Sequence, residues 1–429
     1  ADLWRYRRSC LSIYRMNSKG DSMTVEVFET DRLAKRNVAV LFYAQAILGS
    51  QQSINIILGG LAGFALAGNK ALATLPISVM LLASMLSTGP ISLFMGRYGR
   101  KAGFLIGATS GLMGGVCSAG ALYVGRFDLL LVGAAFTGIF RSTHGYFRFA
   151  AADTASEEFK PKAISLVLAG GLVSALIGPE LVRQTTFLID STPYAGAYLA
   201  VVVINVLGAL GILFLDIPTP PRKEKGEKSG RDMKEIFSQK KTIVAVICAM
   251  VSYSLMTLVM TSTTLAMTSF GFTTALAADV VRWHIVAMFA PSFFTGAIIV
   301  RFGHLRVISI GLFLLGIAGF IAVNGVGIEN FYLSLFALGV GWNFGFIGST
   351  ALLTTTHTVE EQAKVQGLND FLVAGLVTIA SFGSGVILHA YGWTYVQYAM
   401  IPALTIAGMA VVWLAISNRR EEKAKLLMK

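Results

Sequence analysis

Apolar segments of about 20 residues recur along the chain from Val38 onward, and short polar breaks separate them. A helix of that length crosses roughly 30 Å of hydrocarbon, so each segment is predicted to span a membrane. The predicted fold class is therefore an all-α polytopic membrane protein with about twelve transmembrane helices. The predicted spans lie near residues 38–60, 70–94, 102–122, 129–152, 163–184, 193–215, 242–265, 275–300, 307–326, 331–354, 366–389 and 394–416.

The composition agrees with that fold class. Of the 429 residues, 55% are hydrophobic and 14% are charged, whereas ordinary soluble domains carry about 25% charged residues. In a soluble protein, the net charge of +12 would indicate a nucleic-acid or acidic partner. Here the basic residues lie in short segments between apolar spans, which is typical of membrane proteins. We therefore expect a lipid bilayer around the chain and no nucleic-acid partner.

The basic residues mark one side of the predicted membrane. They follow the second and eighth spans and fill the segment after the sixth span, whereas the alternate loops hold little beyond Lys70 and Arg126. Because cytoplasmic loops carry the excess of Lys and Arg, both termini and the long segment are predicted to be cytoplasmic. The basic residues on that side include Arg97, Arg100, Lys101, Arg301, Arg306, Arg222, Lys223, Lys225, Lys228, Arg231, Lys234, Lys240 and Lys241.

A change of composition divides the chain into two halves. The segment after the sixth span contains Pro and mixed charges, which exclude it from the bilayer and predict a flexible linker. Residues 1–22 are basic but lack the apolar core of a signal peptide, so we expect a disordered cytoplasmic tail there. The predicted division is a tail at 1–36, a six-helix bundle at 37–216, a cytoplasmic linker at 217–241, a second six-helix bundle at 242–417 and a tail at 418–429.

The two halves repeat each other in sequence. The segment G-R-Y-G-R-K-A-G-F-L-I-G at 96–107 aligns with V-R-F-G-H-L-R-V-I-S-I-G at 300–311. Arg97 then corresponds to Arg301, an offset of 204 residues that also aligns positions inside the helices. One register for loops and helices indicates an internal duplication. Two parallel repeats around a central site are a recognised transporter architecture.

The predicted fourth span contains three basic side chains. Arg141, His144 and Arg148 are spaced i, i+3 and i+7, so they share one face of a helix. A guanidinium near the middle of a span costs about 2.5 kcal/mol or more if it faces lipid. This face is therefore predicted to point into the bundle or into a water-filled cavity, where a partner can offset the cost.

The loop after the second span resembles a signature of the major facilitator superfamily. Its S-L-F-M-G-R-Y-G-R-K is similar to the family's G-x-L-x-D-R-x-G-R-[RK], although Ser92 replaces the first Gly and Gly96 replaces the Asp. The resemblance extends over residues 36–418 and implies two pseudo-symmetric six-helix bundles, related by an axis along the membrane normal. The matching positions are Arg97, Gly99, Arg100 and Lys101.

The resemblance implies a cytoplasmic gate at this loop and at its repeat. In the family, the Asp makes a contact that closes the gate, and Gly96 cannot make it. Because helix carboxyl ends attract cations, the basic residues are predicted to hold the gate closed against helix ends and against Asp153, Glu157 or Glu361. The predicted gate residues are Arg97, Gly99, Arg100, Lys101, Arg301 and Gly303.

A second resemblance lies on the fourth span. R-S-T-H-G at 141–145 is similar to the R-x-x-Q-G of proton-coupled family members, with His144 in place of Gln. The resemblance implies proton coupling through Arg141 and His144. Glu180 is predicted to be the acid within their reach, and the alternative is a helix-end pair of Glu180 with Arg183.

The fifth span keeps part of the family's antiporter pattern, G-x-x-x-G-P-x-x-G-G. Ser174, Gly178 and Pro179 fit this pattern, but Val182 and Arg183 stand where it has Gly. The resemblance therefore favours antiport.

Further polar and aromatic residues of the spans are candidates for a substrate cavity. In the family the first helix lines the central site, and Gln45, Gln52 and Asn55 lie near one face of it. The alternative for such residues is hydrogen bonding between helices, and Asp370 could instead lie at a wet cytoplasmic mouth. Pro291 is predicted to bend the eighth helix. The predicted cavity residues are Gln45, Gln52, Asn55, Arg148, Tyr253, Trp283, His284, Trp342, Asn343 and Asp370.

Together these features predict a secondary active transporter that moves a small solute by alternating access, with proton-coupled efflux by antiport as the leading hypothesis. The alternatives are a proton-independent facilitator, a proton symporter, or a transport-inactive receptor or scaffold. The sequence lacks a nucleophile elbow, a phosphate-binding glycine loop and an H-E-x-x-H motif, so no enzyme is predicted.

The expected partners are a small-molecule substrate, protons and the lipid bilayer, and the expected state is a monomer in a bacterial inner membrane. Cys10, Cys117 and Cys248 form neither a disulfide framework nor a metal-ligand cluster in the sequence. No cofactor and no metal are therefore predicted.

Overall fold

The computed structural model of the chain describes residues 22–68, 72, 75–219 and 230–427. The predicted tail up to residue 21 and part of the predicted linker, at 220–229, lie outside the described residues. The regular elements of the described part are helices. In chain order they are α1 (Ser22–Leu66), α2 (Leu75–Tyr98), α3 (Arg100–Val124), α4 (Phe127–Gly145), α5 (Phe147–Asp153), α6 (Lys160–Thr185), α7 (Ala195–Ile212), α8 (Met233–Ser238), α9 (Lys240–Ser269), α10 (Thr274–Phe289), α11 (Ser292–Phe302), α12 (His304–Val323), α13 (Ile328–Thr354), α14 (Gln362–Tyr391), α15 (Trp393–Tyr398) and α16 (Met400–Leu427).

Every predicted span overlaps one helix or two consecutive helices. Among the described residues, nine helical segments are long and apolar enough to cross a membrane, and the bent pair α10–α11 makes a tenth. The other two predicted spans, in α1 and in α4–α5, are less apolar because they carry polar side chains such as Gln52 and Arg141. The prediction of an all-α polytopic membrane protein is confirmed.

Three helices extend into segments predicted as tails or linker. α1 begins at Ser22 rather than near residue 37, α16 continues to Leu427, and α8 lies within the predicted linker. The extension of α16 is rich in Glu, Lys, Arg, Ala and Leu, which are good helix formers outside a membrane as well. A helix can therefore continue through the polar residues that mark the end of an apolar span.

The two halves meet through two contacts that the internal repeat makes equivalent. In the first half α4 packs against α2 and α3, and α1 packs against α6; in the second half α13 packs against α10 and α12, and α9 packs against α14. Between the halves, α2 lies against α14, and α6 lies against α10 and α11. The offset of 204 residues maps α2 onto α10–α11 and α6 onto α14. The internal repeat is therefore present in the packing as well as in the sequence.

Two glycines turn the chain in the same way in each half. Gly99 joins α2 to α3 with φ 88° and ψ 161°, and Gly303 joins α11 to α12 with φ 84° and ψ 156°. A side chain is strongly disfavoured in this backbone region, which is essentially limited to Gly. We call the end of the bundle marked by Gly99 and Gly303 the glycine-turn end.

Substitution of either turn glycine tests this constraint. Gly99→Ala and Gly303→Ala are each expected to destabilise the protein by about 1–3 kcal/mol, because Ala is strained at these angles. The measurement is the apparent melting temperature of the purified protein in detergent. Gly408→Ala is the control, because Gly408 lies within α16 with open space around its Cβ position. Equal melting temperatures for all three variants would contradict the strained turn.

Candidate functional site

An ion pair joins the two halves inside the bundle. Arg148 of α5 donates from Nη2 to Asp370 Oδ1 of α14 at 2.5 Å, and the two side chains are only 7% and 11% exposed. Arg148 Nη1 also donates to the Gly145 carbonyl at 2.7 Å, and Asn369 Nδ2 donates to Asp370 Oδ1 at 2.8 Å. Asp370 therefore lies buried against Arg148 rather than at a wet cytoplasmic mouth.

Four aromatic side chains of the second half form a cluster beside this pair. Trp342 stacks on Phe346, with ring centroids 5.3 Å apart and an interplanar angle of 16°. Tyr253 and Phe289 meet Trp342 edge-on, each at a centroid distance of 5.6 Å. Arg148 lies 4.8 Å from the centroid of the Phe346 ring, so the ion pair and the cluster touch. We call Tyr253, Phe289, Trp342 and Phe346 the aromatic cluster.

The aromatic cluster has a buried part and an accessible part. Trp342 and Phe346 are buried, whereas Tyr253 and Phe289 keep part of their surface exposed. Phe289 was not predicted, and it carries the cluster across to the first half. Its ring lies on Gly171 of α6, where an added Cβ would come within 2.5 Å of Phe289 Cε1. A possible sequence signal for this contact was the glycine itself, which the 204-residue offset aligns with Gly375.

A chain of three polar side chains lies in the first half. Arg141 Nη1 donates to Gln52 Oε1 at 2.5 Å, and Gln52 Nε2 lies 3.2 Å from His144 Nδ1. A guanidinium only donates hydrogen bonds, so the amide oxygen of Gln52 must face Arg141 and its NH₂ must donate to His144. His144 Nδ1 then accepts, which requires the neutral ring with its proton on Nε2. Gln52 thereby matches the neutral form of His144, which the positive charge of the nearby Arg141 also favours.

Glu180, predicted as the acid near Arg141 and His144, is engaged elsewhere. It accepts hydrogen bonds from Arg183 at 2.9 Å and from Gln184 at 2.6 Å, and its side chain is 45% exposed. The helix-end pair with Arg183, which was the alternative, is the arrangement observed. Helix geometry explains it, because residues three and four positions apart are neighbours on one face.

Gln45 and Asn55, also predicted cavity residues, take part in packing within the first half. Both are buried; Gln45 lies against α6, and Asn55 Nδ2 donates to the Gln51 carbonyl at 2.8 Å. Gln51 exchanges two hydrogen bonds with Asn205 of α7, at 3.2 and 3.0 Å. The polar face of α1 therefore serves helix contacts, and Gln52 is its member that reaches Arg141.

Trp283 and His284, also predicted cavity residues, have different surroundings. Trp283 is 47% exposed, and His284 is buried with its Nδ1 2.7 Å from the Leu335 carbonyl of α13. A carbonyl only accepts, so His284 donates this bond within the second half. His284 therefore serves a helix contact rather than the predicted cavity lining, and the exposed Trp283 remains a predicted cavity residue.

Asn343 has a structural role at the break between α10 and α11. The two helices are bent by 40° beside Pro291, as predicted, because Pro has no N–H for the helical ladder. Asn343 Nδ2 donates to the Met288 carbonyl and to Ser292 Oγ, each at 2.6 Å, and its Oδ1 accepts from Thr295 at 2.6 Å. A side chain of α13 thus satisfies polar groups at the break, as a membrane requires. This role replaces the predicted place of Asn343 in the cavity.

Arg100 is the gate candidate that reaches the second half. It is buried at the glycine-turn end, where Nε donates to Asp153 at 2.8 Å and Nη2 donates to Gln366 of α14 at 2.6 Å. Lys101 Nζ donates to the Leu213 carbonyl just after α7 at 2.5 Å, which is a contact with a helix end. Arg100 therefore ties the halves together, and Lys101 braces the first half.

The other predicted gate contacts differ from expectation. Arg97 and Arg301 are exposed, and each guanidinium lies near the aromatic ring that follows it in sequence. Glu157 is paired with Lys160 at 2.6 Å on the surface. Position 96 is Gly in this chain and offers no carboxylate to the neighbouring Arg97.

Two serines that the sequence reasoning missed seal the same end. Ser165 of α6 donates to the Ser292 carbonyl of α11 and accepts from Gly296 N at 3.0 Å. Ser92 of α2 donates to the Ala363 carbonyl of α14 at 2.5 Å. Both contacts cross between the halves. The replacement of the family Gly by Ser92 was a possible signal, but it does not indicate which backbone the hydroxyl meets.

Glu361 fastens the end of the linker to the second half. Its buried carboxylate accepts from Arg231 N at 2.8 Å, from Arg231 Nη2 at 2.7 Å and from Thr358 N at 3.0 Å. The guanidinium of Arg231, aided by these backbone N–H groups, lowers the pKa of Glu361 to about 2 although burial alone would raise it. Glu361 is therefore a clamp for the linker and not a partner of the gate arginines.

Removal of this carboxylate is expected to weaken the protein in a pH-dependent way. Glu361→Gln should cost about 1.5–3 kcal/mol at neutral pH, the range for a charged hydrogen bond. Because the pKa is lower in the folded state, the contribution is complete above the ordinary value of 4.5 and is lost as the pH falls towards 2. Apparent melting temperatures in detergent across this pH range provide the measurement.

The repeat offers a matched control for this prediction. Glu157 is the counterpart of Glu361, but its side chain is 75% exposed, so Glu157→Gln should change stability by less than about 1 kcal/mol. A melting-temperature difference between wild type and Glu361→Gln that stays constant from pH 7 to pH 2 would contradict the clamp.

The interface between the halves offers several kinds of group for non-covalent binding. In the described part of the chain, no group of three or more His, Cys, Asp or Glu side chains could hold a metal ion. The site instead offers a buried ion pair, an amide and imidazole pair, and aromatic edges. Such groups can bind and orient a solute.

Comparisons with known proteins agree with this architecture. The family model described as Major Facilitator Superfamily matches residues 40–290 and 246–428. The riboflavin transporter RfnT of Brucella anthropi is 40% identical over 375 residues, which cover 87% of this chain and 94% of that protein.

Two solved structures share the fold at low sequence identity. The transporter FucP in its outward conformation has a TM-score of 0.72 at 16% identity, covering 88% of this chain and 98% of that chain. A bacterial homologue of the iron transporter ferroportin in an outward-facing state has a TM-score of 0.69 at 14% identity, covering 88% of this chain and 99% of that chain.

Proposed function

The chain belongs to the Major Facilitator Superfamily, and we propose that it carries a planar aromatic solute of the flavin class across the membrane by alternating access. The similarity to a riboflavin transporter over most of both chains supports this substrate class. The structural observation that carries the proposal is the aromatic cluster at the interface between the halves. Riboflavin is therefore the first solute to test.

The aromatic cluster suits a flat ring system. Trp342 stacked on Phe346 forms a rigid base, and the partly exposed edges of Tyr253 and Phe289 stand on it. Aromatic contacts of this kind contribute about 0.5–1.5 kcal/mol each beyond the burial of area. The ion pair beside the cluster adds charged groups for the polar rim of such a solute.

We propose that the glycine-turn end faces the cytoplasm of a bacterial cell and is closed in this structure. Contacts of Arg100, Ser92 and Ser165 across the halves support closure, and the excess of basic residues at this end supports the orientation. Single cysteines at Tyr98 and Phe302 should then react with a membrane-impermeant reagent only from the cytoplasmic side. Labelling of these two positions from opposite sides would contradict the topology.

Transport of riboflavin tests the substrate class directly. Proteoliposomes with the purified protein are expected to equilibrate riboflavin faster than protein-free liposomes, as followed by its fluorescence. Tyr253→Ala and Phe289→Ala should each raise the half-saturating riboflavin concentration about tenfold, since each removes roughly 1.4 kcal/mol of aromatic contact.

Two variants control for general damage. Tyr253→Phe keeps the ring and should keep the affinity, and Phe320→Ala removes an aromatic side chain that is 70% exposed on α12. Unchanged riboflavin affinity in both test variants, or equal losses in Phe320→Ala, would remove the aromatic cluster from the proposal.

Proton-coupled antiport is the second candidate, and the chain of Arg141, Gln52 and His144 favours it. A proton added at His144 Nδ1 would make this nitrogen a donor, and it would then face another donor, the amide NH₂ of Gln52. Gln52 would then have to turn, and its turned amide would no longer accept from Arg141. Protonation of one ring would thus reorganise three side chains. The partly kept antiporter pattern at Ser174, Gly178 and Pro179 also favours antiport.

An imposed pH gradient distinguishes the modes of transport. In liposomes with an alkaline interior, protons move inward, so an antiporter is expected to drive riboflavin out and a symporter to drive it in. A proton-independent facilitator shows no response, and a transport-inactive receptor shows no flux. Riboflavin flux that follows the gradient into the alkaline interior would contradict antiport and leave the substrate class intact.

A further inference from the structure

A row of hydroxyl groups runs along α9 from the aromatic cluster towards the end of the bundle opposite the glycine turns. The residues that carry them follow Tyr253 at spacings of three and four residues, so they lie on one face of the helix. At a rise of about 1.5 Å per residue, the row is roughly 16 Å long. We call its members, Thr257, Thr261, Thr264 and Thr268, the threonine stripe.

This face of α9 points to the space between the halves. Tyr253, where the face begins, packs its ring against Trp342 and Phe346. Phe346 in turn contacts Arg148 of the first half. The opposite face of α9, which includes Ala266, is fully buried, and α9 packs against α13 and α14 of the second half. A solute between the halves therefore meets the threonine stripe.

The threonine stripe leads from a buried position to an open surface. Thr257, beside the aromatic cluster, is buried, whereas Thr261 and Thr268 further along α9 are exposed. The contacts of Ser92 and Ser165 that join the halves lie at the other end of the bundle. A solute at the aromatic cluster can therefore extend along the stripe, over surface that the helices leave open.

The hydroxyl groups of the stripe are available as acceptors. Thr261 Oγ1 donates to the Thr257 carbonyl at 2.7 Å, and Thr257 and Thr268 donate to the carbonyl four residues before them in the same way. A hydroxyl has one proton and two lone pairs, so these oxygens keep lone pairs for a further donor. A row of acceptors about one helical turn apart suits a chain that carries hydroxyl donors.

The internal repeat shows that the shared helix packing does not need these hydroxyl groups. At the offset of 204 residues, Thr261 corresponds to Ile57 and Thr268 corresponds to Phe64, both in α1. Both counterparts are apolar, although α1 takes the same place in the first half as α9 takes in the second. Groups that the scaffold does not require are expected where a solute is recognised.

A buried donor lies where the stripe meets the aromatic cluster. Trp342 is buried, and its indole Nε1 has no hydrogen-bond acceptor within the part of the chain that the structure describes. Buried N–H groups without a partner are uncommon, and an indole nitrogen only donates. The ring system of a flavin carries carbonyl oxygens and nitrogens that accept hydrogen bonds. Trp342 thus offers a donor to the ring beside the place where the stripe begins to offer acceptors.

We propose that the threonine stripe binds the ribityl chain of the flavin while the ring lies on the aromatic cluster, so that α9 selects solutes in which a flat ring carries a polyol. This inference rests on the proposed transport of flavins and assigns the part of the solute that the stripe recognises. Hydroxyl groups of the chain donate to threonine oxygens, whose own protons stay on the backbone of α9. A flavin without this chain is held by the aromatic cluster alone.

The binding of two flavins to the purified protein separates the two parts of the site. Riboflavin carries the polyol, and lumiflavin has the same ring with a methyl group in place of the polyol. Quenching of flavin fluorescence measures the Kd of each. Wild type is expected to bind riboflavin about tenfold more tightly than lumiflavin, because the chain adds neutral hydrogen bonds.

Substitutions in the stripe are expected to affect only one of the two flavins. Thr257→Val and Thr261→Val replace the hydroxyl by a methyl group in a side chain of nearly the same shape. Each should raise the Kd of riboflavin about fivefold and leave the Kd of lumiflavin unchanged, so lumiflavin binding also reports that the variant is folded. Thr261→Ser keeps a hydroxyl and should keep the affinity for riboflavin.

Thr405→Val is the matched control. Thr405 Oγ1 also donates to the carbonyl four residues before it, but Thr405 lies exposed on α16, so this variant should bind both flavins as wild type does. Equal affinities of wild type for the two flavins would overturn the role of the stripe. So would stripe variants that keep the riboflavin affinity or that lose affinity for both flavins alike. Binding of neither flavin by wild type would instead contradict the proposed substrate class.

Cysteine labelling in the membrane gives a second measurement. In a chain without its native cysteines, Thr261→Cys is expected to react with a membrane-impermeant reagent from the side opposite to cysteines at Tyr98 and Phe302. Saturating riboflavin should slow this reaction, because its chain covers the position, whereas saturating lumiflavin should not. Labelling of Thr261→Cys at the same rate with and without bound riboflavin would overturn the proposal.

Discussion

A guanidinium inside a membrane has to be solvated by the protein, because lipid offers it nothing. For Arg148 the alternative costs about 2.5–3.5 kcal/mol or more at the centre of a span. Its solvation shell has two sources: Gly145 and Phe149 come from its own half, and Asp370 and Phe346 come from the other. The shell is complete only while the halves are in contact at this level. The solvation of this one charge therefore constrains the relative position of the two bundles, in addition to apolar packing.

The scaffold is symmetric, but the site it holds is not. Arg141 and His144 of α4 correspond by the repeat to Gly345 and Gly348 of α13. In the first half these positions carry hydrogen-bonding side chains. In the second half Gly345 lets Ser252 of α9 approach and Gly348 lies against Ile308 of α12, and the rings of Trp342 and Phe346 stack on the same helix. One wall of the interface is consequently polar and the other aromatic. A solute with a flat ring and a polar rim can be recognised from two sides by walls of different chemistry.

The helical architecture was predictable from the sequence because it depends on properties that repeat. Apolar spans have a length set by the bilayer, and the turn at Gly99 recurs at Gly303 because both halves need the same backbone angles. Partners of individual polar side chains were harder to predict, because they depend on distances between helices. Glu180 pairs with Arg183, three residues away on the same helix, rather than with a residue of another helix. The role of Asn343 required knowledge that α13 passes the break near Pro291, some fifty residues earlier in the chain, and no periodicity expresses that.

The contact of Ser165 with α11 has a consequence for how the seam can open. Its hydroxyl bridges the Ser292 carbonyl and Gly296 N, which are separated by four residues, the spacing of a normal helical bond. Because α11 begins at Ser292, these two backbone groups already share the first bond of its helical ladder, and the hydroxyl is a second partner for each. When the hydroxyl withdraws, both groups keep that helical bond, and Ser165 can turn to the Pro161 carbonyl four residues before it in α6. No polar group is then left stranded in the membrane. Opening at this point therefore removes hydrogen bonds between the two helices without leaving a backbone group of either helix unpaired.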